Sequence, residues 1–509
     1  MAHYKADESY QNKFIPVDFS QQIIPGTYEY ALAYIIDNHL DLTSFDQWYN
    51  NDEGGATAYL PSTMLKIILF AYSRGIISSR RIANVCRTNI TFMSLSGDIQ
   101  PHYTSIASFV AKMHDQIEPL FTQILLICDQ EGLIGRNMFA IDGCKISSNA
   151  SKEWSGTFEE LERKENKLRR ASKRILARHQ AQDELSDDEI NHDLRQKGKL
   201  DESADKIKQF LATHEEKLGA RGTPVKSNIT DPHSAKMTTS KGTIQGYNGI
   251  AISDDSHQII LYASTCGSVG EQQTLKPAVD ALNTQFEKLN TPDTFKHAKF
   301  TADSGFHSEE NLKYLATTGL DSYIADTGFR SRNPLFTQSA TYHTEKEKNR
   351  KKRSKIKQKR FTPADFNFNK QQMTCVCPAG QPMWLNSENN KIKDKFYYRF
   401  EGFLKHCRNC TVQKRCMQKE VKTHGRQVIF AHDKATQKQN CSDRMKDKID
   451  SALGRRQYSK RLGTIEPVFG NITTNKSMNR FTLRGQGKVN SQWQMYCLVH
   501  NIEKLRHSL

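Results

Sequence analysis

The chain has 509 residues, beyond the size at which one hydrophobic core keeps growing, so about two to four domains or large insertions are expected. Lys and Arg number 73 against 56 Asp and Glu, a formal charge of +17 that favours a polyanionic partner, nucleic acid first. No apolar run approaches the roughly 18 to 20 residues of a membrane-spanning helix, which excludes a membrane span. The first residues, Met1 to Asp7, hold no basic stretch ahead of an apolar one, so the expectation is no signal peptide and a reducing, cytoplasmic setting. Eleven cysteines there read as thiols or metal ligands rather than disulfides.

Residues 1–135 read as an all-helical domain. Pro61 stands where a first helical residue would, Leu65, Ile68, Leu69 and Tyr72 recur at helical spacing, and Gly75 supplies a stop. A second helix from Ser78 or Ser79 turns Ile82, Val85 and Cys86 inward and leaves Arg80, Arg81 and Arg87 outward. The pair has the form of a DNA-binding helix-turn-helix, with these three arginines as candidate DNA contacts; a plain helical bundle is the alternative. From Thr104, the positions Ile106, Phe109, Val110, Met113, Ile117, Phe121, Ile124 and Cys128 predict a helical stretch bent at Pro119.

Residues 136–509 read as a split α/β domain. Phe139 to Gly143 predicts a short strand ending in Asp142 and a glycine. Residues 155–220 form a charged insertion in which Leu161, Leu168 and Ile175 repeat every seven, and Ile207, Leu211, His214 and Leu218 step by four, three and four. That is a helical hairpin with a thin apolar seam, either a contact surface or a solvated spacer. Strands follow at Gly246 to Ile252 and His257 to Tyr262, a helix at Leu275 to Leu289, a strand from Lys296 ending in Asp303-Ser304-Gly305, a helix from Ser308 and a strand around Tyr323 to Ala325.

A second insertion, residues 330–450, is basic and cysteine-rich. Lys346 to Arg360 holds ten Lys or Arg in fifteen positions, a solvated block whose contacts to DNA phosphates would need little geometry. Cys375, Cys377, Cys407, Cys410 and Cys416 carry the paired short spacings of a zinc ribbon. The expected ligands of a structural Zn²⁺ are Cys377, Cys407, Cys410 and Cys416, with Cys375 spare; buried free thiols are the alternative. Cys86, Cys128, Cys144, Cys266, Cys441 and Cys497 are scattered and read as core.

Asp142 and Asp303 each end a predicted strand and precede a glycine by one or two residues, where sheet proteins place reactive groups; turn-forming aspartates are the alternative. Far along the chain Tyr458, Leu462, Ile465 and Phe469 share a helical face with Glu466 beside it, and Pro467 is expected to bend that helix.

The fragments Phe139-Ala-Ile-Asp-Gly, Ile244-Gln-Gly-Tyr-Asn, Thr301-Ala-Asp-Ser-Gly-Phe and Ile465-Glu-Pro-Val-Phe-Gly-Asn, in this order, resemble successive motifs of insertion-sequence transposases with a ribonuclease-H-like DDE core. Leu60 to Phe109 resembles the InsH-like N-terminal domain of the same group. The resemblance implies a ribonuclease-H-like mixed sheet flanked by helices. It implies Asp142, Asp303 and Glu466 as catalytic carboxylates holding two Mg²⁺ or Mn²⁺ ions, accompanied by Tyr458 and Arg461. Where the family places a Lys seven residues after the Glu this chain has Thr473, and Lys476, three further on, is the candidate substitute. The implied reaction is cleavage at the element's ends and transfer of the freed 3′-hydroxyl into target DNA. The implied partners are double-stranded DNA, both terminal inverted repeats and target, with a homo-oligomer assembled on it in the nucleoid. Rival readings are a non-enzymatic DNA-binding regulator, a decayed transposase, and a nuclease that cuts without joining.

Overall fold

A computed structural model describes residues 16–338 and 360–508, apart from 52, 55, 182–185, 220–221, 240–241, 268–269, 393–394, 418–420 and 433–439. Within it the periodicities above become elements of two units, one made of Met1–Ala325 with Ala452–Leu509, the other of Asp326–Ser451. The termini Met1 to Ile15 and nearly all of the basic block from Lys346 lie outside the described residues.

The N-terminal region is helical: α1 Tyr28–Asn38, α2 Pro61–Ser73, α3 Ser79–Thr88, α4 Ile90–Ser96, α5 Tyr103–Lys112 and α6 Ile117–Gln130. Thr27 caps α1 by accepting from the Tyr30 N–H, and Pro61 opens α2, where its missing donor is not needed. On α3, Ile82, Ala83 and Cys86 are buried. The stretch from Thr104 does not bend at Pro119. It breaks at a 3-10 turn, Met113–Asp115, and Pro119 becomes the third residue of α6, in the first turn, whose N–H groups have no intrahelical acceptor anyway.

The sheet of this unit is built around β1 (Met138–Ser147). On one side β1 pairs antiparallel with β5 (Gly242–Asp254), and on the other it pairs parallel with β7 (Lys299–Ala302), which pairs parallel with β8 (Asp321–Ile324). The far edge of β5 carries β6 (Ile260–Cys266) and β4 (Ala235–Thr239), the latter absent from the sequence reading. Asp142 does not end its strand. β5 pairs with β1 from Phe139 to Ser147 and keeps it extended, whereas β7 pairs only as far as Ile141. The β5–β6 turn is knotted by Asp254, whose carboxylate accepts the N–H groups of Gly135, Ser256, His257 and Ile259.

Phe139 packs on Phe286 of α9 (Glu271–Lys288). The C-terminal helix, Gln486–Leu505, lies on β6 and is buried along most of its length. Trp493 donates to the Ile250 carbonyl, Asn501 bridges the N–H and C=O of Ile260, and Tyr496 stacks on Tyr72 of α2. One helix thus joins the sheet to the N-terminal helices.

Between β1 and β4 run β2 (Ser155–Gly156), the two long helices α7 (Phe158–Ala181) and α8 (Asp187–Thr213), and β3 (Ser227–Asn228), which pairs with β2. Leu161, Ile207 and Phe210 form the buried base of the hairpin, and Ser186 opens α8 with a capping box to Glu189.

The unit Asp326–Ser451 is a five-stranded antiparallel sheet in the order β13 (Gln427–Ala431), β12 (Lys395–Gly402), β11 (Pro382–Ile392), β10 (Thr374–Val376), β9 (Asn367–Asn369). Phe366, Cys375, Met383, Phe400 and Val428 are its core. No helix among the described residues is long and apolar enough to cross a membrane.

Candidate active site

Parallel pairing sets Ile141 opposite Ala302, so the next residues, Asp142 and Asp303, emerge side by side where β7 stops. Asp303 turns out of the strand and accepts the Ser304 N–H at 2.6 Å. The Asp142 carboxylate accepts the Gly143 N–H at 2.8 Å with one oxygen and the Arg461 guanidinium at 2.7 Å with the other. Burial pushes Asp142 up to about 6; Arg461 and the Gly143 N–H oppose the rise, and the Asp303 charge adds to it.

The third acid arrives on the helix Ala452–Gly470. The Arg461 side chain, 8% exposed, reaches Glu466 at 3.6 Å with its second terminal nitrogen and lies 5.9 Å over the Tyr458 ring. Asp142, Asp303, Tyr458, Arg461 and Glu466 are therefore gathered at one end of the sheet, with Glu466 more than half exposed. The helix does not end at Pro467 but continues to Gly470. Pro467 leaves the Gly463 carbonyl without its intrahelical donor, and the Gln258 side-chain amide supplies one at 2.9 Å.

Lys476 is not part of this gathering. It is buried on the other side of a π-helical turn, Asn471–Asn475, its ammonium 2.6 Å from Glu503 and 3.3 Å from Asn471. Desolvation is tolerable there because the charge is paired and hydrogen-bonded.

Two residues escaped the sequence reading. Glu271, first residue of α9, accepts from Asn248 at 3.2 Å. A Cβ at Gly305 would stand 2.3 Å from Glu271 Oε2, and one at Gly143 would stand 2.7 Å from Asn248 Nδ2, so both glycines flanking the aspartates make room for this pair. Asn248 Oδ1 is buried without a donor among the described residues. Asn248 ends the Ile244-Gln-Gly-Tyr-Asn motif, which was its only signal; Glu271 sits in no motif.

On the N-terminal helices, Arg80, Arg81 and Arg87 are exposed on α3, and Arg80 lies 5.1 Å over the Tyr103 ring. In the second unit, Cys377, Cys407, Cys410 and Cys416 line one cavity together with His406. Burial pushes Cys416 up to about 11, and Cys407, Cys410 and Cys377 add to the rise. Gly402 and Gly425 close on the Cys407 sulfur, where a Cβ would stand 2.9 and 3.3 Å away. Cys375 faces elsewhere, into the apolar core, its sulfur 3.9 Å from that of Met383. Cys86, Cys128 and Cys497 are buried, whereas Cys144, Cys266 and Cys441 are only partly so. As placed, no group of three or more His, Cys, Asp or Glu side chains among the described residues is close enough to hold a metal ion.

A mixed α/β sheet with one aspartate on a strand, a second just past the end of the parallel neighbour and a helix-borne glutamate joined to the first by arginine defines the class as a carboxylate-site α/β protein with a helical N-terminal region. Residues 376–506 match the family model described as transposase DDE domain, and residues 17–112 match the transposase domain DUF772. These two matches support an insertion-sequence transposase of the DDE type. Glu466, Arg461 and Tyr458 fall within the first match; Asp142 and Asp303 lie between the two. No curated protein and no solved structure matches the chain.

Proposed function

We propose that this chain cuts DNA at the ends of its own element and joins the freed 3′-hydroxyl to target DNA, with Asp142, Asp303 and Glu466 as the catalytic carboxylates. The observation that carries the reading is the β1–β7 register, which sets Asp142 beside Asp303, together with the Arg461 bridge to Glu466. A ribonuclease-H-like core is supported by the strand order: an antiparallel run β6, β5, β1 continued by the parallel strands β7 and β8.

The acids suit hard divalent cations, Mg²⁺ or Mn²⁺, because carboxylate oxygens are the donors such ions prefer and Asp142 and Asp303 repel one another. When bound, two such ions would activate the attacking oxygen and stabilise the leaving one. The chain's own groups do the rest. Arg461 holds the Asp142 carboxylate charged and oriented against its desolvation, and Tyr458 supports the guanidinium from below. A structural, tetrahedral Zn²⁺ on Cys377, Cys407, Cys410 and Cys416 is part of the proposal; its support is that the four thiols line one cavity, although as placed they are not close enough together to hold the ion. Helix α3, carrying Arg80, Arg81 and Arg87, is the candidate for sequence recognition, and oligomer formation on DNA would pair the two ends.

The test is a duplex carrying the inverted repeats that flank the coding sequence, incubated with purified protein and Mg²⁺. The expected products are a 3′-hydroxyl at the element end and its covalent joining to a target plasmid. Asp142→Ala, Asp303→Ala and Glu466→Ala should each abolish both while leaving end binding intact. Cleavage without joining would mark a nuclease, binding without cleavage a regulator, and cleavage retained in Asp142→Ala would overturn the site.

A further inference from the structure

The helical hairpin takes no part in the chemistry above, yet its charge is unevenly placed. From Asn166 to Ala181 helix α7 has no acidic residue and six Lys or Arg: Lys167, Arg169, Arg170, Lys173, Arg174 and Arg178. Two of these are used inside the hairpin. Arg169 donates to Glu165 and to Asp205 of α8, both at 2.9 Å, and Arg178 donates to Asp193, a buried carboxylate of α8. The other four, Lys167, Arg170, Lys173 and Arg174, are exposed and form no ion pair with the described residues. At roughly 100° per residue they fall within an arc of about 120° on the side of α7 opposite the Leu161, Leu168, Ile175 seam. Helix α8 differs in balance: Lys197 and Lys206 pair with Asp201 and Glu202 at i,i+4 spacing, and its exposed Arg195, Lys199 and Lys208 are interspersed with acidic residues.

We propose that the outer face of α7 binds the phosphate backbone of duplex DNA, independently of sequence, at a distance from the carboxylate site. The proposal rests on the reading that the chain acts on DNA. Four unpaired cations spread over about 10 Å of helix face a polymer carrying one negative charge per about 1.7 Å of its axis, so each can meet a phosphate without base contacts. The face is rigid, because the Arg169 and Arg178 links clamp α7 to α8 and the Leu161, Ile207, Phe210 base anchors both. Its position is set by the sheet: the hairpin leaves β1 a few residues beyond Asp142 and returns into β4 and β5. With 24 residues, α7 spans about 36 Å, so its basic half would engage DNA away from the cleaved bond.

The experiment replaces Lys167, Arg170, Lys173 and Arg174 together by Gln, which keeps helix propensity, in the full chain. Binding to random-sequence duplexes of increasing length is measured at several salt concentrations, with cleavage of the element end followed in parallel. On long duplexes the variant should bind at least about tenfold more weakly, with the slope of log K against log salt reduced by about 3.6 for four lost phosphate contacts, while the ratio of end to random affinity is unchanged. Unchanged affinity and slope at every length would overturn the proposal. A second readout needs no variant: in the wild-type chain bound DNA should protect Lys167 and Lys173, but not Lys206 of α8, from acetylation. Equal reactivity of all three with and without DNA would also overturn it. A wild-type protein that shows the slope and the protection but never cuts leaves this surface standing and removes the transposase reading; one that cuts and joins with no change in the variant does the reverse.

Discussion

Arg461 donates to Asp142 at 2.7 Å, joining residues 319 positions apart, and the same guanidinium reaches Glu466 at 3.6 Å. Removing it leaves a largely buried carboxylate without a counter-charge. Arg461→Ala should lower stability by about 2 kcal/mol rather than more, since a carboxyl already at about 6 can take up a proton instead of remaining charged. End cleavage should fall by about 100-fold or more, the scale of losing a fixed charge at a reacting centre. Arg461→Lys keeps the charge but not the fork that spans both acids, and should recover part of the rate. Cleavage by Arg461→Ala at the wild-type rate would remove Arg461 from the site.

Gln258 is a second long-range support. It adopts a positive φ of 62° in the β5–β6 turn and donates to the carbonyl that Pro467 strands. Gln258→Ala should cost about 1 to 2 kcal/mol, because the side chain at this partly exposed position also accepts from Lys504 at 3.1 Å and two hydrogen bonds are lost. In a Pro467→Ala background the restored N–H serves Gly463 instead, so the same substitution should cost measurably less. Additive effects in urea unfolding of the four proteins would refute the coupling.

His500 makes stability depend on pH. Its Nε2–H donates to the Gln258 carbonyl at 2.9 Å and Nδ1 faces the Asn471 amide at 3.0 Å, so the ring is held neutral. Burial pushes it from 6.5 down to about 4, with Lys504 and Lys476 adding to the depression and Gln258 and Glu503 opposing it. Between these values the unfolded chain binds the proton and the folded chain does not, so stability falls as pH drops from 6.5 towards 4 and levels off below. At pH 5 the loss should be about 2 kcal/mol relative to neutrality. His500→Gln should flatten that part of the profile; an unchanged profile would locate the pH dependence elsewhere.

Elemental analysis should find about one zinc per chain. Cys407→Ser should lose it and loosen the five-stranded sheet, whereas Cys375→Ser should keep it, because the Cys375 thiol packs against Met383 rather than facing the other four. Zinc content that tracks Cys375 instead of Cys407 would reverse the ligand assignment.

What the sequence by itself determined is local. Helical spacing marked α2, α3, α7 and α8, short apolar runs and turn residues marked β1, β5, β7 and β8, and short motifs marked Asp142, Asp303 and Glu466, because these signals depend on neighbours a few residues away. Strand ends were less legible: β1 outruns Asp142 only because β5, a hundred residues on, keeps pairing with it. The tertiary structure alone decided which partners the marked residues meet. Lys476 looked like a phosphate contact until Glu503 and the C-terminal helix enclosed it, and Pro467, expected to bend its helix, lies within it with the freed carbonyl satisfied by Gln258. Glu271 carried no signal because its place beside Gly305 arises from the packing of α9 against the sheet, and burial and pairing of charge are properties of the assembled core rather than of any stretch of chain.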